Sequence, residues 1–428
     1  MIKKWTTVLA ALLAICSVKA QTITIKDCVR LANDNYPAIA QYGLLDKVTS
    51  YNLSNASKAW LPQGNVYIRG TWQNDVSALP DALTGMMTQQ GVDYPGLGKW
   101  QYKAGVDINQ QIWDGGRVSA DRHTLESGAE AEKANLDIQM YDVEGRVQEL
   151  YFSLLLLDSR IERTDKSIEL VDSTLRQVKA MFANGVAMQS DCDQIEARLL
   201  TTRQQRSQLT ASRDSYRRIL EIFIGEEIGS RNLQLPDGDS DGSLVNPNPQ
   251  LRFFNARLHN LDAQEKSVKT SSMPTVGAFA SAYYGYPGYN MFKSMQSKEP
   301  TFNFMAGLTL SWNFSSLYTR RNSLEKIRIQ REQVEADRAT FLFNNSISET
   351  NAMEQITSLQ EIMSRDEEIV RLNRSVMRAA QSQLANGVID TTTLLSKITD
   401  EELAENDLIL HRIELVKAIY NLSHIRNK

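Results

Sequence analysis

The chain has 428 residues, with 47 basic and 51 acidic side chains, a formal charge of -4, three cysteines and four histidines. A net negative chain is a poor partner for nucleic acid, and so few cysteines cannot supply a disulfide framework at this length. Beyond the first twenty residues no stretch approaches the roughly 20 uninterrupted apolar residues of a membrane-spanning helix, so any part embedded in lipid has to be built from β-strands.

Lys3 and Lys4 precede an apolar run from Val8 to Cys16, and Val18-Lys19-Ala20 completes a secretory signal peptide over 1–20, cleaved before Gln21. Cys16 follows Ile15, where lipoprotein processing requires a small residue, which argues against a lipid anchor. Cleavage removes three lysines and takes the charge to -7. Cys28 and Cys192 then remain, and read as packed thiols rather than a bridge.

The next segment, Ile25 to Trp60, reads as a helix. Strand 62–72 carries Val66, Ile68 and Trp72 on one side and Asn65, Arg69 and Thr71 on the other. Strand 100–113 alternates Trp100, Tyr102, Ala104, Val106 and Ile108 with Gln101, Lys103, Gly105, Asp107 and Asn109. From Gly116 to Asn184 there is no proline, and a helix of roughly 100 Å can form. The turn at 184–188, Asn184-Gly185-Val186, leads into a shorter helix ending near Phe223. Residues 226–248, with Leu235-Pro236-Asp237-Gly238 and Asp239-Ser240-Asp241-Gly242, read as a linker.

From 249 the order repeats. A helix from Pro249 to Ser272 precedes strands 274–286 and 302–314, then a long helix runs from Leu317 to Asn386, with a turn at 386–390 and a last helix to Ile425. Pro37 and Pro62 lie 212 residues before Pro249 and Pro274. Trp100, Tyr102, Ala104, Gly105, Val106, Ile108 and Ile112 lie 202 residues before Phe302, Phe304, Ala306, Gly307, Leu308, Leu310 and Phe314, and Asn184-Gly185-Val186 stands in the same register to Asn386-Gly387-Val388. The offset changes only between the two strands of each half, where an exposed loop tolerates a length change. These matches predict two internal repeats, 21–225 and 249–428.

Each strand has the length of a tilted membrane strand, with Trp72, Trp100, Tyr102, Tyr284, Phe302 and Phe304 as lipid-facing girdle aromatics. The exception is 274–286, where Phe279 and Tyr283 fall on the polar side. Four strands cannot enclose a useful lumen, so several subunits must share one barrel. On the second long helix, one stripe runs through Ile356, Leu359, Met363, Val370 and Met377 and another through Ile362, Ile369 and Val376, as suits a helix packed between two neighbours.

Asn35-Tyr36-Pro37, Leu61-Pro62, Trp113-Asp114-Gly115-Gly116-Arg117 and the Gly185 turn with Ser190-Asp191 together resemble the TolC family of outer membrane efflux proteins, across essentially the whole mature chain. The resemblance implies an α+β membrane protein: a homotrimer with four strands per subunit, a shared 12-stranded β-barrel in outer-membrane lipid, and a long periplasmic α-helical barrel. It implies an exit duct of a tripartite pump or type I secretion system, passive towards small molecules or peptides. A periplasmic membrane-fusion adaptor and an inner-membrane RND or ABC transporter are the implied partners. Asn184, Gly185, Val186, Asn386, Gly387 and Val388 would form the periplasmic tip that docks the adaptor, and Trp113, Asp114, Gly115 and Gly116 the strand-to-helix transition. Thr393 and Ser396 stand where the family's aperture carboxylates are expected, leaving Asp191, Asp193 and Asp390 as candidates. The second half has Asn313-Phe314-Ser315-Ser316 in place of aromatic-Asp-Gly-Gly, which predicts a differently shaped strand exit.

No chemistry competes with this reading. His123, His259, His411 and His424 are dispersed, with no metal-ligand spacing, phosphate loop or nucleophile elbow, so neither an enzyme nor a cofactor is expected. Met86, Met87, Met291 and Met295 in the strand-connecting loops read as contact residues rather than soft-metal ligands. Net negative charge would favour cations in a lumen lined by acids. The rival is a trimeric coiled-coil or adhesin-like envelope protein without a pore.

Overall fold

The computed structural model describes residues 22–229, 231–236 and 248–426. The signal peptide and most of the linker lie outside the described residues. In chain order the elements are α1 (Ile25–Asn35), α2 (Ile39–Ser57), β1 (Gln63–Trp72), α3 (Asp81–Gln89), β2 (Trp100–Trp113), α4 (Arg117–Ala183) and α5 (Gln189–Ile224). They continue with α6 (Pro249–Thr270), β3 (Thr275–Tyr286), α7 (Met291–Gln296), β4 (Thr301–Ser311), α8 (Ser316–Ala385) and α9 (Thr391–Arg426).

The single helix expected from Ile25 to Trp60 is broken. Pro37 lacks an N–H and disfavours helical backbone at Tyr36, which is extended at φ -63°, ψ 127°. The chain re-enters a helix at Ile39 and tightens into a 3-10 turn at Lys58–Trp60 before β1. Two short helices, α3 and α7, occupy the strand connections, where sequence periodicity gave no sign of them.

Two compact units are present, and each draws on both halves of the sequence: the described residues within 1–43, 133–253 and 337–428 form one, and 44–132 and 254–336 the other. The first is helical. One of its cores gathers Ile25, Cys28 and Ala32 of α1, Val147, Tyr151 and Leu154 of α4, Leu220 and Ile224 of α5, and Ile413 and Val416 of α9. There the Tyr151 hydroxyl donates to the Gln234 carbonyl at 2.6 Å and accepts from the Gln234 N–H at 3.0 Å. A second core joins Val171, Val178, Ile195 and Leu199 of the α4–α5 hairpin to Met377, Leu384, Leu394 and Ile398 of the α8–α9 hairpin. Both remaining cysteines are buried free thiols in these cores, and desolvation pushes the Cys28 thiol up to about 12.

The second unit holds one antiparallel sheet in the order β1-β2-β3-β4. Register puts Val66, Val106, Ala282 and Phe304 in one cross-strand row, and Ile68, Ala104, Tyr284 and Phe302 in the next. All four strands thus present one continuous apolar face. A single shift, between Gln111 and Trp113, marks a bulge at the end of β2.

Candidate functional site

The sheet inverts the logic of a soluble protein. On its apolar face Ile68 is 87% exposed, Leu308 75%, and Trp100 and Phe302 71% each. The polar partners on β2, Gln101, Lys103, Gly105 and Asp107, are the more enclosed residues. A hollow of about 570 Å³ lies on the polar side, lined by Gln63, Asn109, Phe279, Thr309 and Ser311 among others. An exposed apolar face and a hydrophilic one that is more enclosed match a membrane barrel wall. Trp72, Trp100, Tyr102, Tyr284, Phe302 and Phe304 are all exposed on the apolar face.

Phe279 and Tyr283, misplaced by the alternation rule, have a packing reason. Tyr283 stands opposite Gly105 and Phe279 opposite Gly307. A Cβ on Gly105 would meet Tyr283 Cβ at 2.7 Å, and one on Gly307 would meet the Phe279 ring at 2.9 Å. The rings cover the backbone that the glycines leave bare, a compensation common in curved sheets.

At the strand-to-helix transition, Asp114 is 3% exposed and caps α4 with both carboxylate oxygens, accepting from Gly116 N–H at 2.9 Å and Val118 N–H at 2.7 Å. Gly115 takes φ +69° and a Cβ there would lie 2.4 Å from Met273 Cβ, so only glycine fits. Trp113, just before, is 47% exposed. The second half turns by other means: the Ser316 hydroxyl donates to the Asn313 carbonyl at 2.7 Å and Ser315 to the Asn313 side chain at 2.5 Å.

The two hairpin turns are built alike. Gly185 has φ +73° and Gly387 φ +71°. In the first, Gly185 N–H donates to Phe182 O and Val186 N–H to Met181 O, both at 2.9 Å; in the second, Gly387 and Val388 donate to Leu384 O and Gln383 O at the same distance. This is the double bond of a Schellman motif, which requires a left-handed residue at the position both glycines hold. Asn184 and Asn386 turn their side-chain amides back onto Ala180 O and Ser382 O. Val186 and Val388 point outward at 65% and 69% exposure.

The three candidate aspartates are engaged locally. Asp191 accepts from Met188 N–H at 2.8 Å, Asp390 from Thr393 N–H at 2.7 Å, and Asp193 from the Gln189 amide at 2.8 Å. Hydrogen bonding by Thr393 holds the Asp390 carboxyl below its ordinary value.

A charged cluster between the hairpins has no counterpart in the sequence reading. Arg198 of α5 donates to Glu402 of α9 at 2.5 Å, and Ser167 of α4 bonds the same carboxylate. Arg163 and Arg374 both hold Glu405, and Arg374 lies 3.6 Å from Glu401. Burial raises the Glu402 carboxyl against the pull of Arg198, and raises Glu401 together with repulsion from Glu405. In sequence these are ordinary helical charges.

Among the described residues no group of three or more His, Cys, Asp or Glu side chains could hold a metal ion. Met295 packs with Leu97 and Tyr286 in a small loop core. Among the described residues no helix is long and apolar enough to cross a membrane.

No curated protein matches this sequence. Similar solved structures include the outer membrane protein VceC of Vibrio cholerae, at 12% identity and a TM-score of 0.71, covering 94% of this chain and 96% of that one. The CmeC outer membrane channel of Campylobacter jejuni aligns at 13% identity and a TM-score of 0.67, covering 94% and 85%. The open-state MtrE outer membrane channel of Neisseria gonorrhoeae aligns at 13% identity and a TM-score of 0.65, covering 96% and 93%. The outer membrane efflux protein family matches residues 29–226. That match takes in a little under half of the chain, and the likeness to the solved channels carries the same fold through the rest of the described residues.

Proposed function

We propose that this chain is the outer-membrane subunit of an exit duct, three copies of which pool their four-stranded sheets into one barrel and their helical hairpins into a periplasmic tunnel. The observation that carries the reading is the sheet itself. Its apolar face is exposed on β1, β2 and β4 and half-buried along most of β3, where Tyr284 alone is exposed, and β1 and β4 each leave one edge unpaired. Open edges are not tolerated in lipid, so the sheet has to be completed by further copies. The helices add a second incomplete surface. On α8, Leu359, Val370 and Met377 are buried, while Ile362, Ile369 and Val376 are exposed at 39%, 45% and 48%. One stripe is satisfied within the subunit and the other is left for a neighbour.

In this arrangement the duct is passive, and energy comes from an inner-membrane RND or ABC transporter joined through a membrane-fusion adaptor. The Asn184-Gly185-Val186 and Asn386-Gly387-Val388 turns meet the adaptor. Both glycine Cβ positions open onto free space, so bulky or photoreactive groups can be carried there at the cost of left-handed strain alone. Small molecules or peptides are the cargo.

The test is detergent extraction followed by mass measurement and planar-bilayer recording. A detergent-dependent trimer that inserts and conducts is expected, with photocrosslinkers at 185 or 387 capturing an adaptor. A monomer soluble without detergent, or a trimer that never conducts, would sink the reading.

A further inference from the structure

The polar face of the sheet carries an unneutralised basic row. Arg69 of β1 stands directly opposite Lys103 of β2, and the row continues through Gly285 of β3 to Thr301 of β4. Like charges placed opposite one another across strands weaken a sheet, so pairing stability does not explain them. Neither cation meets a carboxylate among the described residues. Instead each leans on a ring in the row below: the Arg69 guanidinium lies 5.6 Å from the Tyr67 ring centre, and Lys103 Nζ lies 4.7 Å from that of Tyr283. Tyr67 and Tyr283 flank Gly105 in that row, so the two supports stand on either side of a position without a side chain.

Nothing can grow in beside Lys103 to quench it. A Cβ on Gly285 would fall 2.2 Å from Tyr102 O and 2.7 Å from Lys103 Cα, which keeps that site bare. The nearest carboxylate on this face of β2 is Asp107, two rows away, roughly 13 Å along the strand. It is occupied by the Ser281 hydroxyl at 2.6 Å. Lipid headgroups do not reach the row, because the membrane-facing side chains are on the other face.

We infer that Arg69 and Lys103, three copies of each around the barrel, form a basic ring that draws anionic solutes through the outer part of the lumen. This rests on the trimeric-pore reading. It differs from the expectation that net negative charge favours cations in a lumen lined by acids, because basic side chains line this part. A ring of like side-chain charge raises the local concentration of counter-ions, most strongly where low-dielectric walls focus the field. The cargo class it suits is small organic anions bearing carboxylate, phosphate or sulfonate groups.

The experiment is the reversal potential of the full-length trimer in a bilayer under a KCl gradient at low ionic strength, compared with Arg69→Gln/Lys103→Gln. The double variant is expected to show a severalfold lower chloride-to-potassium permeability ratio. Arg69→Lys/Lys103→Arg, which keeps both charges, should behave as the wild type. Should the double variant fail to assemble, Lys103→Gln alone is expected to give a smaller shift of the same sign. In molar salt, with a screening length of about 3 Å, the difference should shrink. A conducting wild type whose reversal potential is unmoved by charge removal overturns the basic ring and leaves the pore standing. A wild type that does not conduct overturns both.

Discussion

Asn35 shows how a short motif acquires a physical meaning. Its side-chain amide donates to Ile222 O and Phe223 O, both at 3.1 Å, closing the open carbonyls at the end of α5. Gly225 beside it takes φ +75°, and a Cβ there would sit 2.4 Å from Asn35 Oδ1. Asn35→Ala should therefore cost about 1 kcal/mol. Gly225→Ala should cost more, through strain and overlap together, and thermal unfolding in detergent reads both. His424 offers a pH test. Its ring stacks on Tyr141 at 3.8 Å, and burial holds its pKa below the ordinary value against the opposing pull of Asp142. The unfolded chain then binds the proton more readily, so this contribution to stability is present above the usual histidine range and is lost as pH falls below it. The melting temperature should drop on acidification from neutral pH, and the drop should be smaller in His424→Phe. An equal slope in the variant would assign the effect to other groups.

At the scale of elements, the hairpin tips separate cap from gate. Asp191 and Asp390 hold the first turns of α5 and α9, so the double substitution Asp191→Ala/Asp390→Ala should weaken those turns, read as a lower melting temperature. If they also narrow the aperture in the trimer, the single-channel current should rise. Unchanged current with lowered stability would leave them as caps alone. The turns themselves were legible in Asn-Gly-Val, because a glycine ending a long helical pattern has one common conformational role. The break at Pro37 was equally available, because a proline lacks the helix N–H and disfavours helical backbone at the residue before it. The short helices α3 and α7 were not legible, being too short for periodicity to register. The Glu402–Arg198 network was not legible either, since a charge on a helix says nothing of whether it meets water or another helix.

For the whole molecule, the exposed apolar surfaces are where the proposed assembly can be tested. Ile369→Glu adds a charge to a residue that is 45% exposed in the single subunit, where it should barely disturb the helix. In a trimer that covers the Ile362, Ile369 and Val376 stripe, the same charge is desolvated. Helical content by circular dichroism should stay as in the wild type while the trimer fraction falls. A full trimer carrying Ile369→Glu would place the subunit interface elsewhere.

Sequence alone determined the element types, the alternating strands and the long proline-free helices, because the periods of two and 3.6 residues are local properties of the backbone. It also carried the glycine turns, whose left-handed backbone leaves a mark in residue type. Only the tertiary structure showed the apolar face to be largely bare, since alternation is the same whether that face is buried or exposed. It alone brought Arg69 against Lys103 and Tyr283 over Gly105, pairings set by strand register between segments far apart in the chain. It also divided the chain into units that each draw on both halves, because a strand edge and a helix stripe are satisfied by whatever surface reaches them, regardless of order in the sequence.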